Sequence, residues 1–161
     1  MDTFSAHAQP SQGWQRDACF GCGPSNPIGL RLQFTPDAAS KSCRCEFTLE
    51  DCFVGPPGHA HGGIIATILD EAMGKCNKLL DKVALTRRMD VEYLRPVPLG
   101  QPLFVVGQFL SIQGRSIHNR AEICNQQGVV LAKSKGEFLC INPEKMFGRE
   151  LEEERRKAAK P

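Results

Sequence analysis

Gly55-Pro56-Pro57-Gly58-His59-Ala60-His61-Gly62-Gly63-Ile64-Ile65-Ala66-Thr67-Ile68-Leu69-Asp70-Glu71-Ala72-Met73-Gly74 is the stretch that decides the fold. Its first four residues are turn formers, proline fixing φ and glycine freeing it. His61-Gly62-Gly63 then opens a run of Ile64, Ile65, Ala66, Ile68, Leu69, Ala72 and Met73, apolar nearly all round. That pattern predicts a helix over about 61–80, buried on most of its faces. A carboxylate inside such a run, Asp70, is costly unless it is partnered or used. The two glycines leave backbone N–H groups uncovered at the positive helix end, which suits a developing oxyanion. An oxyanion site and a buried carboxylate on one helix point to acyl-group chemistry.

On either side of the helix the sequence alternates with a period of two. Leu30, Leu32 and Phe34 against Arg31 and Gln33 predict one half-buried strand. Cys43, Cys45, Phe47 and Leu49 against Arg44, Glu46 and Thr48 predict a second, joined to the first by the turn at 36–41. After the helix, Leu85, Arg87, Met89, Val91 and Tyr93 alternate with Thr86, Arg88, Asp90 and Glu92, a third strand stopped by Arg95-Pro96-Val97-Pro98. The nearly continuous apolar run 103–110 predicts a central strand buried on both faces. Ile117, Ala121 and Ile123 turn inward along a strand over 116–124. Gln126-Gln127-Gly128 makes a hairpin turn into a last strand over 129–141. One apolar helix and one antiparallel sheet must bury each other, an α+β fold with the helix on the concave face of a curled sheet. Three segments follow: an N-terminal arm with a Cys-x-x-Cys turn over 1–29, the α+β domain over 30–141, and a charged tail over 142–161 read as an exposed helix.

The length of 161 residues fits one domain with tails. A formal net charge of +2 predicts no strong attraction to nucleic acid or to an anionic membrane. The stretches 52–69 and 96–114 lack Asp, Glu, Lys and Arg, but Pro and Gly break both, so neither reads as a membrane span. The first residues show no basic region followed by an apolar core, and a cytoplasmic location is expected. Eight cysteines in a reducing compartment are thiols or metal ligands. Cys19 and Cys22 with Cys43 and Cys45 offer four thiolates to a zinc ion. Against this, Cys43 and Cys45 share the apolar face of a strand, where cysteine behaves as a small hydrophobe. A redox Cys-x-x-Cys would open a helix, and here turn residues follow. The cysteines are therefore read as structural, with no metal and no cofactor expected.

Spacing adds a constraint. Gly62 and Asp70 are eight residues apart, about 12 Å along an α-helix, whereas catalytic contacts need about 3 Å. If both serve one carbonyl they must come from different subunits, so an enzyme of this kind is an obligate homodimer with two equivalent sites, the tetramer being the larger alternative.

His61-Gly62-Gly63 with Asp70 nine residues after the histidine resembles the signature of the PaaI-like hotdog-fold acyl-CoA thioesterases. Gly55-Pro56-Pro57-Gly58 and Arg95-Pro96-Val97-Pro98-Leu99-Gly100 fit the same group, and Cys-x-x-Cys-Gly segments occur in similar proteins at the place of Cys19–Gly23. The resemblance covers roughly residues 19–141. It implies a hotdog fold and hydrolysis of an acyl-CoA thioester to free acid and CoA. Asp70 then stands as general base or nucleophile, and Gly62 of the other subunit as oxyanion donor beside Gly63. His61 shapes the turn, and Thr86 positions the carboxylate or water. Some relatives carry Asn or Gln six residues before the histidine, where this chain has Gly55. CoA phosphates need cations; Arg115 in Gly114-Arg115-Ser116 is a candidate, with Arg95, Lys133 and Lys135. Each site residue also has a structural alternative: Asp70 as a capped carboxylate, His61 as a helix-start residue, Thr86 as an ordinary strand threonine. Two further functions share these features, an enoyl-thioester hydratase or dehydratase using a paired histidine and acid, and a non-catalytic acyl-CoA-binding module.

Overall fold

The computed structural model describes residues 18–159; the first seventeen residues of the arm expected over 1–29 lie outside them. Strands β1 (Thr35–Asp37) and β2 (Ser42–Phe47) come first, then helix α1 (Gly62–Lys78). Strands β3 (Ala84–Tyr93), β4 (Leu103–Gln113), β5 (Ser116–Asn125) and β6 (Val130–Cys140) follow, and helix α2 (Pro143–Ala158) ends the chain. The six strands form one antiparallel sheet in the order β1-β2-β4-β5-β6-β3. Strand β3, next in sequence to the helix, thus crosses to the far edge and pairs only with β6.

Helix α1 packs on β2, β3, β4, β5 and β6 together, which requires the sheet to curl around it. Ile65, Ile68, Leu69, Ala72, Met73 and Cys76 are buried from α1 against Val105, Ile117, Ala121, Ile123, Ala132 and Phe138 from the sheet. The approach is close where Gly107 of β4 lies under the Ala72 carbonyl, because any Cβ at 107 would collide with that oxygen. One polar pin crosses the same interface: the buried Asn119 amide of β5 donates to the Met73 carbonyl at 2.9 Å and to Asn77 Oδ1 at 2.7 Å.

Three sequence expectations shift. The alternating segment 30–34 is not a ladder strand; β1 begins at Thr35. Arg31 has a positive φ of 51°, which bends the chain out of extension. The N–H groups of Leu30 and Leu32 go instead to the carbonyls of Phe20 and Gly21, at 2.8 and 2.9 Å. The alternation is nonetheless expressed, with Leu32 buried and Arg31 and Gln33 exposed. Strand β4 is not buried on both faces: Leu103, Val105 and Gly107 face the helix, while Phe104 and Val106 are half-covered, with Arg44 stacked 3.7 Å from the Phe104 ring centre. Finally, α1 is buried on one side only. Ile64, Ala66, Thr67, Asp70 and Gly74 remain half-exposed.

Helix α2 is the expected charged tail. Asn142 caps it by accepting the Lys145 N–H at 3.1 Å, Pro143 opens it, a kink at Phe147 interrupts it, and Leu151 is buried. Among the described residues no helix is long and apolar enough to cross a membrane.

Candidate active site

The loop before α1 folds back on itself. Val54 and Ala60 form a bridge, the Gly55 N–H reaches the His59 carbonyl and the His61 N–H reaches the Phe53 carbonyl, both at 2.9 Å. This delivers His61 to the helix start as its N-cap. Its Nδ1 accepts the Gly63 N–H at 3.0 Å, and its carbonyl accepts the N–H groups of Ile64 and Ile65. The two glycine donors therefore part ways. Gly63 is consumed by the cap, whereas the Gly62 N–H has no acceptor among the described residues. The tight loop also explains the glycine at 55: a Cβ there would lie 2.7 Å from His61 Cα, so a polar side chain at this position would need the loop to open.

Asp70 sits two turns further on, half-buried on the open side of α1. Thr86 Oγ1 of β3 donates to Asp70 Oδ1 at 2.7 Å, which brings together two of the residues named by the family resemblance. No described donor meets the other carboxylate oxygen. Burial raises the Asp70 carboxyl above its ordinary range; the Thr86 hydroxyl opposes this and the neighbouring Glu71 charge adds to it.

One residue not singled out by sequence belongs here. The Tyr93 hydroxyl donates to the Gly62 carbonyl at 3.1 Å, and its ring lies 3.6 Å from where a Gly62 Cβ would be. Tyr93 is the only tyrosine and ends β3, just before the Arg95-Pro96 stop, a position that could have flagged it. Both ends of the candidate site are thus tied to one edge strand, Asp70 through Thr86 and Gly62 through Tyr93.

The candidate cations do not gather at Asp70 within one chain. Arg95 Nη1 donates to the Val130 carbonyl at 3.1 Å. Arg115 donates through Nε and Nη2 to the Cys140 carbonyl at 3.3 and 3.1 Å, and Ser116 Oγ to Glu137 at 2.8 Å. Lys133 pairs with Glu92. Arg115 also borders, with Lys145 and Met146, an open groove of about 460 Å³.

All eight cysteines are free thiols. Cys43 and Cys45 are buried, and Cys43 Sγ lies 3.8 Å from Cys76 Sγ, so the two strand cysteines do not join Cys19 and Cys22. Those two meet Glu71 and Lys75 of α1 instead. Lys75 Nζ donates to Cys22 Sγ at 2.9 Å and pairs with Glu71 at 3.0 Å. Burial, followed by the nearby Glu71, pushes the Cys22 thiol up to about 11 despite the opposing lysine. Glu71, the neighbour of Asp70 in sequence, is thus a paired residue of this second cluster.

A six-stranded antiparallel sheet curled around a single long helix is the hotdog form of the α+β class. Residues 57–132 match the family model of the thioesterase superfamily. A solved structure, the thioesterase superfamily protein RHA08564, superposes with a TM-score of 0.73 at 32% identity, over 76% of this chain and 60% of that one. The smu.793 protein of Streptococcus mutans, solved bound to acetyl CoA, has the same fold, with a TM-score of 0.64 at 20% identity over 69% of this chain and 89% of its own. The mouse acyl-coenzyme A thioesterase THEM4 is 33% identical over 92 residues, 56% of this chain and 40% of THEM4. The chain therefore spans less than half the length of that curated relative.

Proposed function

We propose that the protein is a thioesterase that hydrolyses acyl-CoA to the free acid and CoA at two equivalent sites, each shared between the subunits of a homodimer. The observation that carries this is Asp70: a carboxylate on an apolar helix, held by one hydroxyl, with its second oxygen open on the uncovered side. Asp70 acts as general base on water, or attacks the thioester carbonyl itself, and Thr86 fixes its orientation. The N–H of Gly62 of the partner subunit takes the oxyanion, and collapse expels the CoA thiolate. His61 contributes by holding Gly63, which leaves Gly62 as the available donor. Arg95, Arg115 and Ser116 supply polar contacts at the CoA end. The acetyl-CoA bound by the Streptococcus mutans neighbour and the activity in the name of the mouse relative support the substrate class.

The dimer rests on β3. Its ten residues form a sheet edge with Leu85 and Tyr93 exposed, the kind of edge a second copy can pair with. Antiparallel pairing of two such strands about an axis between Met89 and Asp90 sets Thr86 of one copy opposite Tyr93 of the other. With them, Asp70 comes opposite Gly62. Thiol release from a panel of acyl-CoA chain lengths, by wild type and by Asp70→Asn, is the direct test. Hydrolysis that survives the substitution undiminished overturns the assignment.

A further inference from the structure

The Cys19–Gly23 turn is built around a carboxylate. Cys19 Sγ, Cys22 Sγ and a Glu71 oxygen all lie within 4.8 Å of one another, half-buried, though the turn and the helix are about fifty residues apart in sequence. The turn is held before any ligand is considered: the Gly23 N–H reaches the Cys19 carbonyl at 2.8 Å, and the Asn26 side chain donates to the Ala18 carbonyl at 3.0 Å. Gly21, between the two cysteines, admits the carboxylate, because a Cβ there would lie 2.5 Å from Glu71 Oε2. Two soft sulfurs and one oxygen, converging through a gap that only glycine leaves open, form a donor set suited to a borderline divalent cation.

We propose that Cys19, Cys22 and Glu71 bind one zinc ion. This site differs from the four-cysteine set offered by sequence, since Cys43 and Cys45 lie elsewhere. Binding transfers no electrons; two thiol protons leave to solvent as the two Zn–S bonds form, and the Glu71–Lys75 ion pair gives way to a Zn–O bond. Two thiolates, one carboxylate and Zn²⁺ sum to a charge of −1, which the Lys75 ammonium neutralises. Lys75 already lies 2.9 Å from Cys22 Sγ, so its N–H becomes an outer hydrogen bond to a zinc-bound thiolate. The fourth tetrahedral position faces a cleft of about 190 Å³ bordered by Gly74, Asn77 and Ala84 and is filled by water. The ion ties the N-terminal turn to α1 from the side away from Thr86, and the proposal is independent of any thioesterase activity.

The test uses the full chain, reduced and stripped with a chelator, then titrated with Zn²⁺ alone against a chromophoric chelator. One zinc per chain is expected, at least about 10-fold weaker in Glu71→Gln and lost in the Cys19→Ser, Cys22→Ser double variant. Wild type needs no substitution for two further readouts. Co²⁺ should give tetrahedral visible bands with a thiolate charge-transfer band, and Zn²⁺ should shield two of the eight thiols from alkylation, mapped to Cys19 and Cys22. The proposal is overturned by no zinc uptake at equimolar micromolar concentrations, by zinc retained in the double serine variant, by shielding at Cys43 or Cys76, or by a Cys19–Cys22 disulfide in the zinc-loaded protein.

Discussion

Asp70 and Glu71 are consecutive residues on one helix, and the fold treats them in opposite ways. A step of about 100° round the helix turns Asp70 toward the sheet edge and Glu71 toward the cysteine turn. Asp70 meets one neutral hydroxyl and no cation among the described residues. Glu71 meets the Lys75 ammonium one turn later, with both side chains largely covered. A carboxylate with its charge balanced is part of the scaffold or of a cation site. A carboxylate whose charge is left unbalanced and penalised by burial is held ready to take a proton or attack a carbon.

Neutralising each carboxylate in turn separates the two roles. Asp70→Asn should lower kcat/KM for acyl-CoA by about 10²–10⁴-fold, the range for loss of a positioned base. Its melting temperature should equal or exceed that of wild type, because the substitution removes a charge that burial penalises. Glu71→Gln should act first on stability, costing about 1–2 kcal/mol by removing the charge partner of a largely covered Lys75, between the values for exposed and buried pairs. Chemical denaturation and steady-state kinetics on both variants decide the matter. If Asp70→Asn is the destabilised one and remains active, the roles are reversed.

Next in size is Gly62→Pro. Proline is tolerated at the first helical position, and His61 before it already has the extended backbone that a following proline requires (φ −64°, ψ 138°). The substitution therefore deletes one N–H with little else, and should cost about 10²–10³-fold in kcat. Co-expressing Asp70→Asn and Gly62→Pro chains tests the shared site. Random pairing makes half the dimers mixed, each with one intact site, so about a quarter of wild-type activity should return. Recovery no greater than the sum of the two variants would place both residues in one subunit's site.

The gap between Asp70 and Glu71 also shows what was legible in the sequence. The helix, its glycine start and the inward faces of β2 and β5 followed from period and turn chemistry, because burial on one side of a strand or helix is a local pattern. The pairing of Thr86 with Asp70 was reachable through the family resemblance. Three things were not legible. Arg31 in the left-handed region displaced β1, and nothing in its residue type announces that conformation. Apolar composition overstated the cover on α1, since a half-exposed apolar face reads the same in sequence as a core face. The Glu71–Lys75 spacing was visible in sequence, but that the pair meets Cys22 depends on where the N-terminal turn lands.

The pH profile sharpens the comparison further. Asp70 must be ionised to act, so kcat/KM should rise with pH through its raised pKa, then level off. Stability runs the other way. The folded chain holds this proton more tightly than the unfolded chain, so ionising Asp70 as pH climbs from the ordinary carboxylate value of 3.8 through the raised folded value costs stability. Thr86→Val removes the bond that lowers this pKa, so the rising limb should move to higher pH, with about a 10-fold loss on the plateau. An unmoved limb would mean that the limb belongs to another group.

The smallest effect tests the other end of the site. Tyr93→Phe keeps the ring against Gly62 and removes only the hydroxyl that donates to the Gly62 carbonyl. A neutral hydrogen bond at a half-exposed side chain is worth about 0.5–1 kcal/mol, so kcat should fall about 3-fold with KM and the rising pH limb in place. The contrast with Thr86→Val is the point: Thr86 touches the group that titrates, whereas Tyr93 touches the backbone that presents a donor. If Tyr93→Phe moves the limb as Thr86→Val does, the two ends of the edge strand serve the same carboxylate. If it costs as much as Gly62→Pro, the phenol itself reaches the oxyanion and Tyr93 belongs among the donors.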